Sequence, residues 1–375
     1  MASVLVFSGV LTFLGLIGLL GKQCADRGIT PSQAGVAVLP SVAVCATATL
    51  RNGFNWLSMC LSIGALILGV ILAGILGPTG HFKLATQPVR AGIALMCFAV
   101  LLLGLGGHAI SWTATLISAF TPLNISVVAF AMAAASAVCV FGLGATRGLA
   151  RTAMVIVVAT AVIMLLGGIF IGSVAALGDP VIHVGKPGFG SNVIFTIAVV
   201  LVTGLNPGLR DIGKSNRPQI LVGASVVIVC TALTLFGMLA LVGGAIQLPS
   251  APLSTFVAYL PPALVAVIGG VLAIVGVVVG AQLMDVLFDM SAESHQFMWP
   301  NASLVRIRLI ASIVAGAILA ILSIWQPSPS WAVPTLALLG VIGFVAQKLS
   351  VRRDNAAAEA TTDDEVASET ASTSS

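Results

Sequence analysis

Eleven apolar runs of about 17 to 29 residues constrain this chain more than anything else in it. They fall near 3–21, 34–50, 54–77, 90–107, 123–143, 149–177, 191–209, 218–246, 262–284, 306–324 and 331–347. Each can cross the hydrocarbon layer as a helix, and none alternates with the period of a barrel strand. Lipid offers no hydrogen-bond partners, so a spanning backbone must satisfy itself, and without alternation only the helix remains. Composition agrees, because 58% hydrophobic against 7% charged residues is more apolar surface than a water-soluble core can hide. The chain is expected to be an all-α polytopic membrane protein of the cell membrane, with about 11 transmembrane helices and lipid as its surroundings. The stretch HAISWTATLISAFT, 108–121, is short for a span and stops at Pro122, so it reads as an outer half-helix or interfacial segment.

Lys and Arg are retained on the cytoplasmic side, which fixes orientation. With the N-terminus outside, every basic residue except Arg51 and Lys186 falls inside, and reversing the chain reverses that bias. MASVLVF at the start lacks the basic region of a cleaved signal peptide. From Asp354 onward the sequence turns to Ala, Ser, Thr and acid, as expected of a disordered cytoplasmic tail. The basic surplus elsewhere follows topology and implies no nucleic acid. Cys24, Cys45, Cys60, Cys97, Cys139 and Cys230 show no CxxC spacing and mostly lie in apolar runs, where a thiol packs as a small hydrophobe.

With the first helix set aside (1–33, a peripheral helix and its loop), the remaining spans divide into 34–177, 178–350 and the tail 351–375. Each of the two large segments holds five spans, and the odd number gives them opposite topology. Secondary transporters are commonly built as such inverted repeats, with the binding site where interrupted helices meet. Both leading helices carry a break signal: Pro40–Ser41 in the first, and Gly204, Asn206, Pro207 and Gly208 in TGLNPG of the second. A proline removes a backbone donor and crowds the carbonyl one turn earlier, so a solute or cation can become the partner of the freed groups. Alternatively Pro207 only ends a helix, and Arg210, Asp211, Lys214 and Arg217 form a solvated loop.

Residues 192–245, beginning NVIFTIAVVLVTGLNPGLRDIGKSNRP, resemble the sixth and seventh core helices of the amino acid–polyamine–organocation superfamily. RDIGKS is similar to the Asp-aromatic-Ser/Thr-Arg stretch of its nucleobase–cation symporter branch. LPSAPLSTFVAYLPP, 248–262, resembles the outer half-helix before the eighth core helix, and VVVGAQLMDVLFDMSAES, 277–294, that helix's cytoplasmic end. The resemblance implies a ten-helix inverted repeat and secondary active transport driven by sodium or protons, with no other cofactor.

Gln282, Asp285, Asp289 and Glu293 share one face of the ninth span. Gln282 and Asp285 are candidates for gating or ion coupling, whereas Asp289 and Glu293 fall where the helix meets solvent. Ser41, Thr47, Thr49 and Thr203 could ligate a cation or a solute, or bond back to the carbonyl four residues earlier. His81, His108, His183 and His295 fall at or beyond span ends, which excludes the paired mid-membrane histidines of an ammonium channel. There is no HExxH, GxSxG or Gly-rich phosphate loop for an enzyme or an ATP-driven pump. The expected function is an ion-coupled permease for a small polar organic solute such as a nucleobase or amino acid. Its candidate site is Pro40, Ser41, Thr203, Gly204, Asn206, Gly208, Gln282 and Asp285. The rival is a non-transporting membrane scaffold or receptor-like subunit that keeps a degenerate transporter fold.

Overall fold

Proline and asparagine set several helix ends in this chain, while hydroxyl side chains keep polar stretches helical. The computed structural model describes residues 31–51, 56–77, 87–140, 146–170, 189–211, 217–242, 262–298, 303–325, 327–328 and 330–350. Ten helices begin with α1 (Pro31–Arg51), α2 (Trp56–Leu76), α3 (Pro88–Phe120), α4 (Ile125–Val138) and α5 (Thr146–Phe170). They continue with α6 (Phe189–Leu205), α7 (Pro207–Asp211), α8 (Arg217–Val242), α9 (Pro262–Met298) and α10 (Leu304–Trp325). Helix α11 (Ser330–Ser350) closes the described chain. No strand occurs among the described residues. The expected first span, the segment 248–261 and the acidic tail lie outside them.

The protein is an all-α polytopic membrane protein. Four described helical segments are long and apolar enough to cross a membrane: Pro88–Ser118, Val267–Ser291, Arg306–Trp325 and Ser330–Ser350. The outer surface suits lipid, since Ile310, Ile313, Val314, Ile321 and Trp325 recur at helical spacing along α10 and are all exposed.

Two expectations are corrected here. The stretch 108–121 is not a separate half-helix, because α3 runs unbroken for 33 residues from Pro88 to Phe120 and takes His108 into its interior. Hydroxyls in that stretch turn back onto their own helix: Thr113 donates to the Ala109 carbonyl and Thr115 to that of Ser111, both at 2.8 Å. Polar side chains satisfied in this way do not end a helix. Asn124, whose side chain accepts from the Ser126 N–H, then starts α4. The second correction is Pro40, which lies inside a continuous α1 and breaks nothing.

Some of the extensive helix contacts come in exchangeable pairs. If α6 and α7 count as one interrupted helix, exchanging the first five helices for the last five turns the α1–α8 contact into the α6–α2 contact, and both are extensive. The same exchange turns α3–α9 and α4–α10 into themselves, and both of those are also extensive. Two glycine crossings repeat the relation: Gly280 of α9 closes on the Ser136 side chain of α4, and Gly107 of α3 on Leu322 of α10. Ser136 fastens its crossing by donating to Val277 of α9 at 3.0 Å as well as to Met132 of its own helix. Small residues allow such approach where lipid provides no hydrophobic drive between helices.

Gly64 of α2, by contrast, has nothing within 4 Å of the place a side chain would occupy. Gly64→Ala is therefore expected to raise stability by about 0.5–1 kcal/mol through helix propensity alone. Thermal unfolding in detergent measures it, and a loss would show that α2 is packed there.

Candidate functional site

The interruption between α6 and α7 is one residue wide. Asn206 alone is non-helical, and it has the two marks of a helix start: an amide side chain at the cap and Pro207 in the first turn. Its Oδ1 accepts from the Gly208 N–H at 3.0 Å, and its carbonyl accepts from the N–H groups of Leu209 and Arg210, each at 3.1 Å. Its own N–H turns to the Thr203 carbonyl at 3.3 Å. The donors that would have continued α6 are thus directed elsewhere. The carbonyls of Val202, Gly204 and Leu205, all in buried residues, lose their partners four residues ahead.

The Asn206 amide then reaches across the fold. Nδ2 donates to the carbonyl of Ala37 in α1 at 3.0 Å, and the residue is wholly buried. Ala37 lies three residues before Pro40, on the turn where a proline disturbs backbone pairing. Pro40 lacks the N–H that would pair with the Val36 carbonyl, so the Asn206 bond falls on the residue next to that gap. The two break signals of the sequence therefore meet, joined by one hydrogen bond.

Along the same face of α1, Gln33, Ala37 and Ser41 recur at four-residue steps of about 6 Å. Gln282 of α9 donates through Nε2 to the Gln33 carbonyl at 2.7 Å, while its Oε1 is buried with no hydrogen-bond partner among the described residues. Ser41, one turn beyond Ala37, is 1% exposed, and its hydroxyl likewise has no partner there. The side chains of Thr47 and Thr49 are outside the described residues.

Thr203 and Gly204 face α2. The Thr203 hydroxyl bonds back to the Val199 carbonyl at 2.8 Å and its side chain fills the space beside Gly69, while Gly204 lies under Leu72. Gly208 is close to Val286 of α9, and the short α7 touches α1, α2, α6 and α9. These residues shape the junction by close approach.

Asp285 points away to α10, where it pairs with Arg308 at 2.8 Å. The two side chains are 24% and 37% exposed, so solvent screens the pair. Asp289 is exposed, and the side chain of Glu293 lies outside the described residues. Asp285→Asn and Arg308→Gln are each expected to cost under about 1 kcal/mol, with the double variant costing no more than the worse single one. A double-mutant cycle in thermal unfolding measures this, and strict additivity would contradict the pairing.

Sequence reasoning gave Arg210 no role in the site and, under the alternative that Pro207 only ends a helix, put it in a solvated loop. It is 1% exposed, donates through Nε to the Gly77 carbonyl at 3.0 Å, and stacks 5.0 Å from the centre of the Phe344 ring. Gly77 ends α2 at φ +69°, a left-handed turn that glycine adopts readily, and the negative end of that helix receives the guanidinium. The dipeptide Gly77–Pro78 is the one local sign that a helix end awaited a cation.

The sequence matches no family model and no curated protein. Among solved structures, the chain is similar to a sodium-coupled sialic acid symporter in a substrate-bound, outward-open state. The match has a TM-score of 0.63 and covers 92% of this chain and 85% of that one. The two share a fold. At 12% identity the likeness extends to the architecture alone. It agrees with the all-helical inverted-repeat fold, of the LeuT-like type, that the resemblance to the amino acid–polyamine–organocation superfamily implied.

Proposed function

We propose that the chain is a secondary active transporter, an ion-coupled permease that carries a small polar organic solute by alternating access. The observation that supports this best is the interrupted α6–α7 helix, joined at Asn206 to Ala37 of the proline-bearing α1 from the other half of the chain, inside a symporter fold. Transporters of this kind place solute and ion where such helices leave backbone groups unpaired. In this proposal 34–177 and 178–350 are the two inverted repeats, rocking against each other about the junction. The N-terminus faces outward and the acidic tail faces the cytoplasm, as the positive residues require. Sodium or protons supply the driving force, sodium being the ion of the solved neighbour.

One observation favours the rival. Asn206 is used at both ends of its amide, and Gly204 is packed tightly under Leu72, as a scaffold with a closed remnant site would have them. Uptake into reconstituted vesicles separates the two. Labelled nucleobases, amino acids and sialic acid are offered under an imposed sodium or proton gradient. Accumulation that collapses with the gradient is the expected result; no uptake of any of them by folded protein favours the scaffold.

A further inference from the structure

Arg210 is the largest wholly buried side chain among the described residues, and it lies in the last turn of the five-residue α7. An arginine at membrane depth is costly and is a mark of function. The depth can be read from α11. Trp325 and Trp331 pack 5.8 Å apart and stay exposed where α10 meets α11, as tryptophans do at a membrane–water boundary. From Trp331, α11 rises about 26 Å to Lys348, close to the thickness of the hydrocarbon layer. The Phe344 ring, one turn before Lys348, lies 5.6 Å from the Lys348 Nζ and 5.0 Å from the Arg210 guanidinium. Arg210 therefore sits about one turn inside the surface opposite the tryptophans, which the transport proposal makes cytoplasmic.

What holds Arg210 there is anchored in the first half of the chain. Its Nε donates to the Gly77 carbonyl at the end of α2 at 3.0 Å. Phe344 belongs to α11, but α11 lies along α3: Leu336 fills the space at Gly104, and Gly340 and Gly343 close on Leu101 and Cys97. Asn206, one turn deeper than Arg210, ties the other end of α7 to Ala37. Movement of α7 away from α2 and α11 would open the junction toward the Lys348 surface, and it would take the guanidinium off both partners. The charge makes that release reversible. A leucine in the same slot would only lose burial, whereas a guanidinium on a flexible stem regains water one turn away.

We infer that Arg210 is a latch: seated between the Gly77 carbonyl and the Phe344 ring, it keeps the junction shut toward the cytoplasm, and leaving that seat opens it. This rests on the transport proposal and adds to it the side chain that decides which side the junction faces.

The test reads the junction from each side of sealed vesicles. Ser41→Cys is the single cysteine of the full-length protein, labelled by a membrane-impermeant maleimide, and the exposed Lys348, as Lys348→Cys in a separate protein, identifies the latch side. Phe344→Leu removes the ring and keeps the Gly77 bond, Arg210→Lys loses the flat guanidinium and its Nε donor, and Phe344→Tyr keeps the ring face. The first two are expected to raise labelling from the latch side about tenfold and to lower it from the other, with Phe344→Tyr matching the parent. Thermal unfolding checks each variant, and Phe344→Leu decides the matter if Arg210→Lys fails to fold. Unchanged labelling in Phe344→Leu overturns the latch and leaves transport standing. So does an equal rise from both sides, which is general loosening, or a rise in Phe344→Tyr as large as in Phe344→Leu. If Ser41→Cys reacts from neither side in the parent and in every variant, the junction does not open, and the transport proposal fails together with the inference.

Discussion

Asn206→Ala is expected to cost about 2–4 kcal/mol of folding stability and to abolish transport. The cap on α7 accounts for about 1 kcal/mol of that, because the Gly208 N–H loses its acceptor. Loss of the buried donor to Ala37 adds about 1–3 kcal/mol, since a buried hydrogen bond between two helices is removed. Asn206→Asp isolates the second part. It keeps an oxygen for Gly208 but has no amide for Ala37, so it should fold less well than the parent and not transport. Thermal unfolding and uptake on the same preparations measure both effects. An Asn206→Ala protein as stable as the parent would mean that the two helices are not held together there.

Gly223→Ala is expected to cost about 2–3 kcal/mol, because the added carbon on α8 would collide with the backbone carbonyl of Pro31. Backbone cannot rotate aside as a side chain can, so the start of α1 must move. It would carry Gln33 with it and stretch the bond to Gln282. Gly69→Ala meets only the Thr203 side chain and should cost less. Equal unfolding temperatures for Gly223→Ala and the parent would contradict the α1–α8 contact described above.

Much of the helical layout was legible because lipid leaves a backbone so few options. The expected start of the eighth span at 218 lies beside Arg217, and that of the ninth coincides with Pro262. What failed was judging 108–121 by its own length: it is short for a span, yet it continues α3, and Thr113 and Thr115 satisfy themselves within that helix. At the junction, Asn206–Pro207 was a legible helix start because cap and first turn are local signals. Its partner Ala37 was not, since an alanine carbonyl 169 residues away carries no mark in the sequence beyond Pro40 downstream. Arg210 failed for the same reason. A charge just past an apolar run looks solvated until the end of α2 is known to be waiting for it.

The account stands or falls on whether the junction opens to water. Ser41, buried here, can report that as a single cysteine in a protein whose native cysteines have been replaced. A membrane-impermeant maleimide is applied to each side of sealed vesicles, with fully unfolded protein giving the total label. Alternating access predicts that Ser41→Cys reacts from at least one side in the folded protein, and that a transported solute slows the reaction. A Ser41→Cys that reacts from neither side, while labelling fully once unfolded, would contradict it and leave the junction a packed seam.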